Sequence, residues 1–205
     1  MVRNKNRCLV VMSPQESKAA LRKVVLARRD AIPDLVRIEK SLQAARTGFD
    51  HIKVDPGQIV SGFFPIRSEI DPRPFMDGVR RLGGRLCLPV VVDRTTIIFR
   101  ELERTSELVD TGFGTKGPGS SAKQLVPEVL IMPLSVFDEY GGRIGYGAGH
   151  YDRAIAKIVQ SGVSPRLYGF AFDCQREDRV PVEDHDQLLN GVFTESGFYP
   201  SRGDV

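Results

Sequence analysis

Thirteen consecutive residues, GGRIGYGAGHYDR from Gly141 to Arg153, combine five glycines with two arginines and an aspartate. These are the ingredients of an anion site. Gly145, Gly147 and Gly149 alternate, so several backbone N–H groups stay open to a ligand. An apolar run, Val129 to Met132, precedes the stretch, and a helix-like run, Ala154 to Val159, follows it. A helix starting where the glycines end adds free N–H groups and a partial positive charge of its own. Arg143 and Arg153 can supply the charge-assisted hydrogen bonds that phosphates favour. Asp152, just inside the helix start, is either a first-turn acid favoured by the helix dipole or a carboxylate facing phosphate through Mg²⁺. A plain turn at Gly141-Gly142 followed by a tight bend would also use glycines. The two arginines and the aspartate beside them favour phosphate.

Other chemistry finds little support. No Gly-Lys-Ser/Thr ends the stretch, so it is not a Walker A loop. A second cluster, Gly112-Phe-Gly114-Thr-Lys-Gly117, spells G-x-G-x-x-G, but no apolar strand leads into it, and Pro118 and Gly119 stand where a helix should begin. It reads as a flexible loop. Glu183, Asp184 and Asp186 surround His185, and spacing alone makes them a polar surface loop. The histidines His51, His150 and His185 lack a metal-ligand spacing, and no G-x-S-x-G elbow occurs. The three cysteines, Cys8, Cys87 and Cys174, form no CxxC and read as reduced, mostly buried thiols.

Around the glycine stretch, the elements that must position it are legible. Ser13, Pro14 and Glu16 spell a capped helix start, and that helix should run to about Arg29 or Asp30, before Pro33. On it, Lys18, Arg22 and Arg29 fall within about 40° of one another and form one basic stripe. A second helix is expected over Leu35 to Ala45, ending near Gly48. Gln58 to Ile66 reads as a buried strand, followed by a short helix over PFMDGVRRLGG. RLCLPVVV, TTIIFREL, VLIMP, RLYGFAF and finally GVFTES read as further strands, with a helix from about Gly149 to Gln160 between VLIMP and RLYGFAF. Thr111 to Lys123 is expected to be a mobile loop. Short apolar strands alternating with helices predict an α/β domain around a mainly parallel, twisted sheet.

Composition sets the outer limits. With 205 residues and 41% hydrophobic content, the chain can bury one substantial core. Residues 1–40 hold ten Lys/Arg against four Asp/Glu, so the rest of the chain sums to −3 of the net +3. So mild a bias is most simply a solvated basic helix face. No aromatic-rich basic patch argues for nucleic acid, and no apolar run is long enough to span a bilayer. A cytoplasmic protein is expected, with residues 1–12 a flexible N-terminus.

The glycine stretch resembles the signature loop of the 5-formyltetrahydrofolate cyclo-ligases, also called 5,10-methenyltetrahydrofolate synthetases, whose pattern is G-x-R-L-G-x-G-x-G-aromatic-Y-D. The resemblance extends along the chain in order: KAALR (Lys18 to Arg22), FFPIRSEID, VLIMPLSVFDEYGGR, and AFDCQREDRVPVEDHDQLLNGVFTE. It implies a single three-layer, Rossmann-like α/β domain over residues 1–205, with helices on both faces of the sheet, acting as a monomer. It implies an ATP-dependent ligase that cyclises 5-formyltetrahydrofolate to 5,10-methenyltetrahydrofolate, with Mg²⁺ and no nucleic acid or membrane partner. Carried over by position, Lys18 and Arg22 contact ATP phosphates, as does the loop of Arg143, Ile144, Gly145, Tyr146, Gly147, Ala148, Gly149, His150 and Tyr151. Arg143 and Tyr151 carry the catalysis, with Tyr151 close to the formyl group. Phe64 and Glu69 bind the folate together with the loop residues Tyr146 to His150. Asp152 and Asp186 are the metal positions.

The chain departs from the pattern at His150, where the family favours an aromatic, and at Ala148, where Gly or Lys is common. Its Phe113-Gly-Thr-Lys-Gly-Pro118 segment lacks the acid of the family's F-G-x-x-E-P. Two other readings stay open: a non-catalytic nucleotide- or RNA-associated module keeping the fold, and a different α/β kinase or sugar-phosphate enzyme. The first would be expected to lose Arg143, Tyr151 and Asp152. Glu69 and the C-terminal segment speak for folate over the second.

Overall fold

A computed structural model describes residues 13–112 and 114–203. The expected flexible N-terminus lies outside them, as does Cys8. In chain order the elements are α1 (Pro14–Asp30), α2 (Asp34–His51), β1 (Ile59–Ser61), α3 (Arg73–Arg81), β2 (Arg85–Val91), β3 (Ile97–Glu101), β4 (Leu108–Asp110), β5 (Lys116–Pro118) and β6 (Gln124–Leu125). They continue with β7 (Val129–Pro133), β8 (Val136–Phe137), β9 (Arg143–Ile144), α4 (His150–Gln160), β10 (Arg166–Phe170), β11 (Gly191–Phe193) and β12 (Phe198–Pro200).

α1 starts as its sequence specifies. The Glu16 N–H donates to Ser13 Oγ at 3.2 Å, and the Ser13 N–H donates to the Glu16 carboxylate at 2.8 Å, so two otherwise orphaned donors are satisfied reciprocally.

The main sheet has eight strands in the order β12-β11-β10-β7-β1-β2-β3-β6. Its centre, from β11 to β2, is parallel, while β12, β3 and β6 pair antiparallel at the edges. Successive side chains of β7 explain the layering, because alternate residues of a strand face opposite sides. Val129 and Ile131 join a core with Ala44 and Ala45 of α2 and Phe75, Met76 and Val79 of α3. Leu130 and Met132 join the opposite core with Ala154, Ile155 and Ile158 of α4. Helices therefore cover both faces. α1 stands apart from these layers and packs Val25 and Leu21 against Val136, Ile144 and Val180.

Several expectations need correction. The strand expected over Gln58 to Ile66 is only β1, because the chain leaves the sheet after Ser61 and folds into a turn. Pro65 has no N–H for a ladder, and Arg67 adopts a left-handed φ of 53°. α2 runs on to His51, packing Gly48 against the Phe75 ring, where a Cβ would come within 2.8 Å. The stretch Thr111 to Lys123 is not wholly a loop: β5 pairs with β4 in a hairpin. Gly112 and Gly114 occupy its turn at φ of 86° and 77°, which accounts for two glycines of G-x-G-x-x-G by backbone conformation. GVFTES is not the last strand, since β12 closes the edge beside β11.

Candidate active site

Three segments leave the C-terminal ends of neighbouring parallel strands, where ligands of open α/β sheets bind. The turn with Glu69 follows β1, the β8–β9 hairpin and glycine loop follow β7, and the acidic segment with Glu183 and Asp186 follows β10. α1 lies across all three, and its basic stripe reaches each of them. Lys18 Nζ lies 2.9 Å from Glu183 Oε2 and 2.5 Å from Asp186 Oδ2. Arg22 Nε donates to the Gly145 carbonyl at 2.7 Å. Arg29 donates from Nε to Ser68 Oγ at 3.0 Å and from Nη2 to the Tyr146 hydroxyl at 3.1 Å. The stripe thus turns inward onto these segments and is not the solvated face that composition suggests, and the acidic segment is not a free surface loop.

At the loop's entry, Arg143 Nη2 donates to Asp152 Oδ1 at 2.7 Å, and its Nη1 donates to the Gln187 carbonyl. The Gln187 N–H returns to the same Asp152 oxygen at 3.1 Å. Arg143, Asp152 and the residue after Asp186 therefore form one closed circuit. The arginine side chain is only 7% exposed, so the carboxylate compensates a charge largely withdrawn from water.

A second cluster lies at the β1 turn. Tyr146 OH donates to Glu69 Oε1 at 2.8 Å, and the Ile66 N–H donates to Glu69 Oε2 at 2.9 Å. Burial pushes the Glu69 carboxyl above its ordinary range, against the opposing pull of these donors and of Arg29 and Arg67. Burial also raises the Tyr146 phenol to about 12, with the Glu69 charge adding to it. Tyr146 therefore stays a donor near neutral pH.

The loop between the two clusters ends at α4, whose N-cap Gly149 has a left-handed φ of 62° and supplies no side-chain cap. No side chain therefore stands over the positive end of α4 as a cap. Gly147, at φ 95°, lies beside the Arg22 guanidinium, with a Cβ position 3.6 Å from it. The Arg153 guanidinium is engaged by the backbone, donating to the Ala148 carbonyl at 2.5 Å and the Thr95 carbonyl at 2.8 Å. With His150 Nε2 3.0 Å from the Arg94 carbonyl, it fastens the loop's far end to the β2–β3 turn. The Ile144 side chain is 2% exposed within the α1 core, so it seats α1 on the loop. Tyr151 packs beside the α4 core, and its hydroxyl is buried without a hydrogen-bond partner among the described residues. Phe64 is half-buried on the wall of a cleft of about 510 Å³ shared with Met76 and Arg73.

The chain matches the model of the 5-formyltetrahydrofolate cyclo-ligase family over residues 14–195. The chain belongs to that family. It is similar to the 5-formyltetrahydrofolate cyclo-ligase of Escherichia coli strain K12, 32% identical over 179 residues covering 84% of this chain and 97% of the relative. It is also similar to the one from Mycolicibacterium smegmatis, 30% identical over 95% of this chain and 98% of the relative. In fold it resembles the solution structure of the Aquifex aeolicus 5,10-methenyltetrahydrofolate synthetase. There the TM-score is 0.75 and the identity 24%, over 92% of this chain and 94% of that one.

For a cyclo-ligase family member, the donor set can be tested against a divalent cation. Among the described residues no three His, Cys, Asp or Glu side chains stand together as metal ligands. Mg²⁺ does not need three, because it uses one or two carboxylates with water and phosphate oxygens. Both hydrogen bonds of Asp152 fall on Oδ1 and both of those of Asp186 on Oδ2. Each carboxylate thus keeps an oxygen for a cation, and the Gln187 N–H ties one to the other's neighbour. The residues fit.

Sequence reasoning did not single out Arg29 as a site residue, the pairing of Tyr146 with Glu69, or Glu183 as a partner of Lys18. The signal for Arg29 was its place on the α1 stripe. The other two are contacts across long stretches of chain, without any local signature.

Proposed function

We propose that this protein cyclises 5-formyltetrahydrofolate to 5,10-methenyltetrahydrofolate at the expense of ATP, with Mg²⁺ as its metal and the cytoplasm as its setting. The observation that carries the reading is the hold of Arg22 on the glycine loop at Gly145, with Arg143 at the loop's entry and Lys18 on the adjoining acidic segment, where the loop opens into an α4 start that no side chain caps. Family membership supports the substrate class, and these cations beside open backbone N–H groups support a triphosphate as the ligand of the loop.

In this reaction the formyl oxygen attacks the γ-phosphorus, and the bond to the β–γ bridging oxygen breaks, releasing ADP. N10 then attacks the activated formyl carbon and loses its proton, and the carbon–oxygen bond breaks to release phosphate. The protein need not supply a nucleophile. That agrees with Cys87, which is fully buried and whose thiol is pushed up to about 12 by burial. The task left to the chain is positioning and charge stabilisation. Arg22 and Lys18 face the phosphates from α1, and the loop and α4 N–H groups face them from below. Arg143, held rigid by Asp152 and Gln187, presents its charge where the transferring group gains negative charge. Mg²⁺, held through Asp152 and Asp186, would screen the phosphate oxygens. Glu69 accepts the N–H donors on the pterin edge, since each of its oxygens has one bond from the protein and room for another.

The test is incubation with 5-formyltetrahydrofolate and Mg-ATP, following the methenyl product by its near-ultraviolet absorbance. The expected result is product formation that depends on both substrates. Absence of ATP-dependent product overturns the proposal.

A further inference from the structure

Arg29 is 1% exposed, in the last turn of α1. A guanidinium stays charged in proteins, and a buried charge normally has a carboxylate against it. Here its acceptors are two hydroxyls, Ser68 and Tyr146, and its Nη1 has no hydrogen-bond partner among the described residues. Asp30 is reached only through Ser68, whose hydroxyl donates to Asp30 Oδ1. Packing alone gives no reason to bury a cation this way, so its effect on neighbouring groups is the relevant one.

We propose that Arg29 is a positioning residue for folate recognition, acting through Tyr146 to keep both oxygens of Glu69 acceptors. The inference rests on the proposed function for its substrate and on hydrogen-bond polarity for its logic. An arginine can only donate, so the Tyr146 oxygen accepts from Nη2. The single phenolic proton is then directed to Glu69 Oε1, 2.8 Å away. The Ile66 N–H fills one site on Oε2. Glu69 is left with one lone-pair site on each oxygen, facing outward from two donors. This is the complement of the adjacent amino and ring N–H groups on the edge of a pterin. With Arg29 replaced by an apolar side chain, the Tyr146 rotor is free to accept from a protonated Glu69, which turns an acceptor into a donor and rejects that edge.

Charge acts in the same direction. The groups facing Glu69 are Arg29 from α1, Arg67 from its own turn, Tyr146 from the loop and Tyr151 from α4. Burial raises the Glu69 carboxyl, and the two arginines oppose it. Removing one of them leaves Glu69 easier to protonate, so binding that needs the carboxylate is lost at a higher pH.

The experiment compares Arg29→Met, Arg29→Lys and Tyr146→Phe in the full chain. For Arg29→Met the KM for 5-formyltetrahydrofolate should rise at least about tenfold while the KM for ATP stays within about threefold. The acidic limb of kcat/KM should move to higher pH, and Arg29→Lys should move it back. Carboxyl ¹³C titration of Glu69 in the free protein reads the same shift without turnover. A chain inactive on folate would therefore strike the proposed function while leaving the Glu69 result standing. If Arg29→Met does not fold, Tyr146→Phe carries the test, because it removes the relay and keeps the charge; its KM for folate should rise by a clearly larger factor than that for ATP. Equal rises in both KM values, or a Glu69 titration and acidic limb unmoved from wild type, would overturn the inference.

Discussion

Lys18 Nζ lies 2.5 Å from Asp186 Oδ2, joining the start of α1 to the connection between β10 and β11 across 168 residues of chain. Burial pushes the Asp186 carboxyl up, but Lys18, the Glu183 N–H and His185 outweigh it and hold it below its usual range. A carboxyl held low in the folded state contributes stability above its unfolded pKa and loses it as pH falls through the folded value. The window lies below the ordinary aspartate value of 3.8. Asp186→Asn should therefore flatten the acid limb of thermal stability below about pH 4. Melting curves from neutral to acid pH check this, and curves parallel to wild type would contradict it.

The Arg143–Asp152 circuit predicts a separation of activity from folding. Asn at position 152 keeps an acceptor for Arg143 and Gln187 but loses the charge a cation needs. Asp152→Asn and Arg143→Ala should each lower turnover at least about tenfold, on the order of 1.4 kcal/mol of barrier. Asp152→Asn should keep the wild-type circular dichroism spectrum, and steady-state kinetics on both variants checks the rest. Wild-type turnover in either would remove that residue from the phosphate-transfer machinery.

The loop glycines should divide by mechanism. A Cβ at Gly145 meets nothing within 4 Å, whereas one at Gly149 falls 2.9 Å from Arg153 Nη1 in a left-handed backbone at φ 62°. Gly149→Ala should lower stability by about 1–2 kcal/mol, read as a fall in melting temperature. Gly145→Ala should leave the melting temperature unchanged and still raise the KM for ATP, because the methyl occupies space a phosphate would use. If Gly145→Ala leaves the KM for ATP unchanged, the loop does not approach the nucleotide there.

Tyr151 offers a trade between stability and activity. Burial pushes its phenol well above its ordinary range, and its hydroxyl has no partner among the described residues. An unpaired buried hydroxyl costs about 1–3 kcal/mol. Tyr151→Phe should raise the melting temperature by about 2–4 °C per kcal/mol recovered. Turnover should fall if the hydroxyl reaches the formyl group, as the family resemblance implies. A melting temperature below wild type would show that the hydroxyl is satisfied in solution.

Local signals were read well where local chemistry decides. Ser13, Pro14 and Glu16 announced α1 through contacts three residues apart. The β7 and β2 strands were visible as apolar runs because both faces of a central parallel strand are buried. The reading failed where a longer contact competes. β1 was overextended because Phe63 to Ile66 is as apolar as a strand while serving as the turn that carries Glu69. The Thr111 to Lys123 stretch is rich in glycine, yet Lys116 to Pro118 within it pair with β4. The edge strand β12 is short and its partner β11 is what makes it a strand.

The sequence by itself determined the order of the four helices and the central strands, the α/β class and the glycine loop between a buried strand and a helix start. Those features depend on side-chain periodicity and backbone freedom within a few residues. Only the tertiary structure decided that Lys18, Arg22 and Arg29 together reach all three strand ends, that Arg153 fastens the loop to the β2–β3 turn, and that Tyr146 joins Glu69. Such pairings close loops of tens to hundreds of residues, and a charge's role depends on which opposite charges and how little water surround it. Neither is encoded in the spacing of residues along the chain.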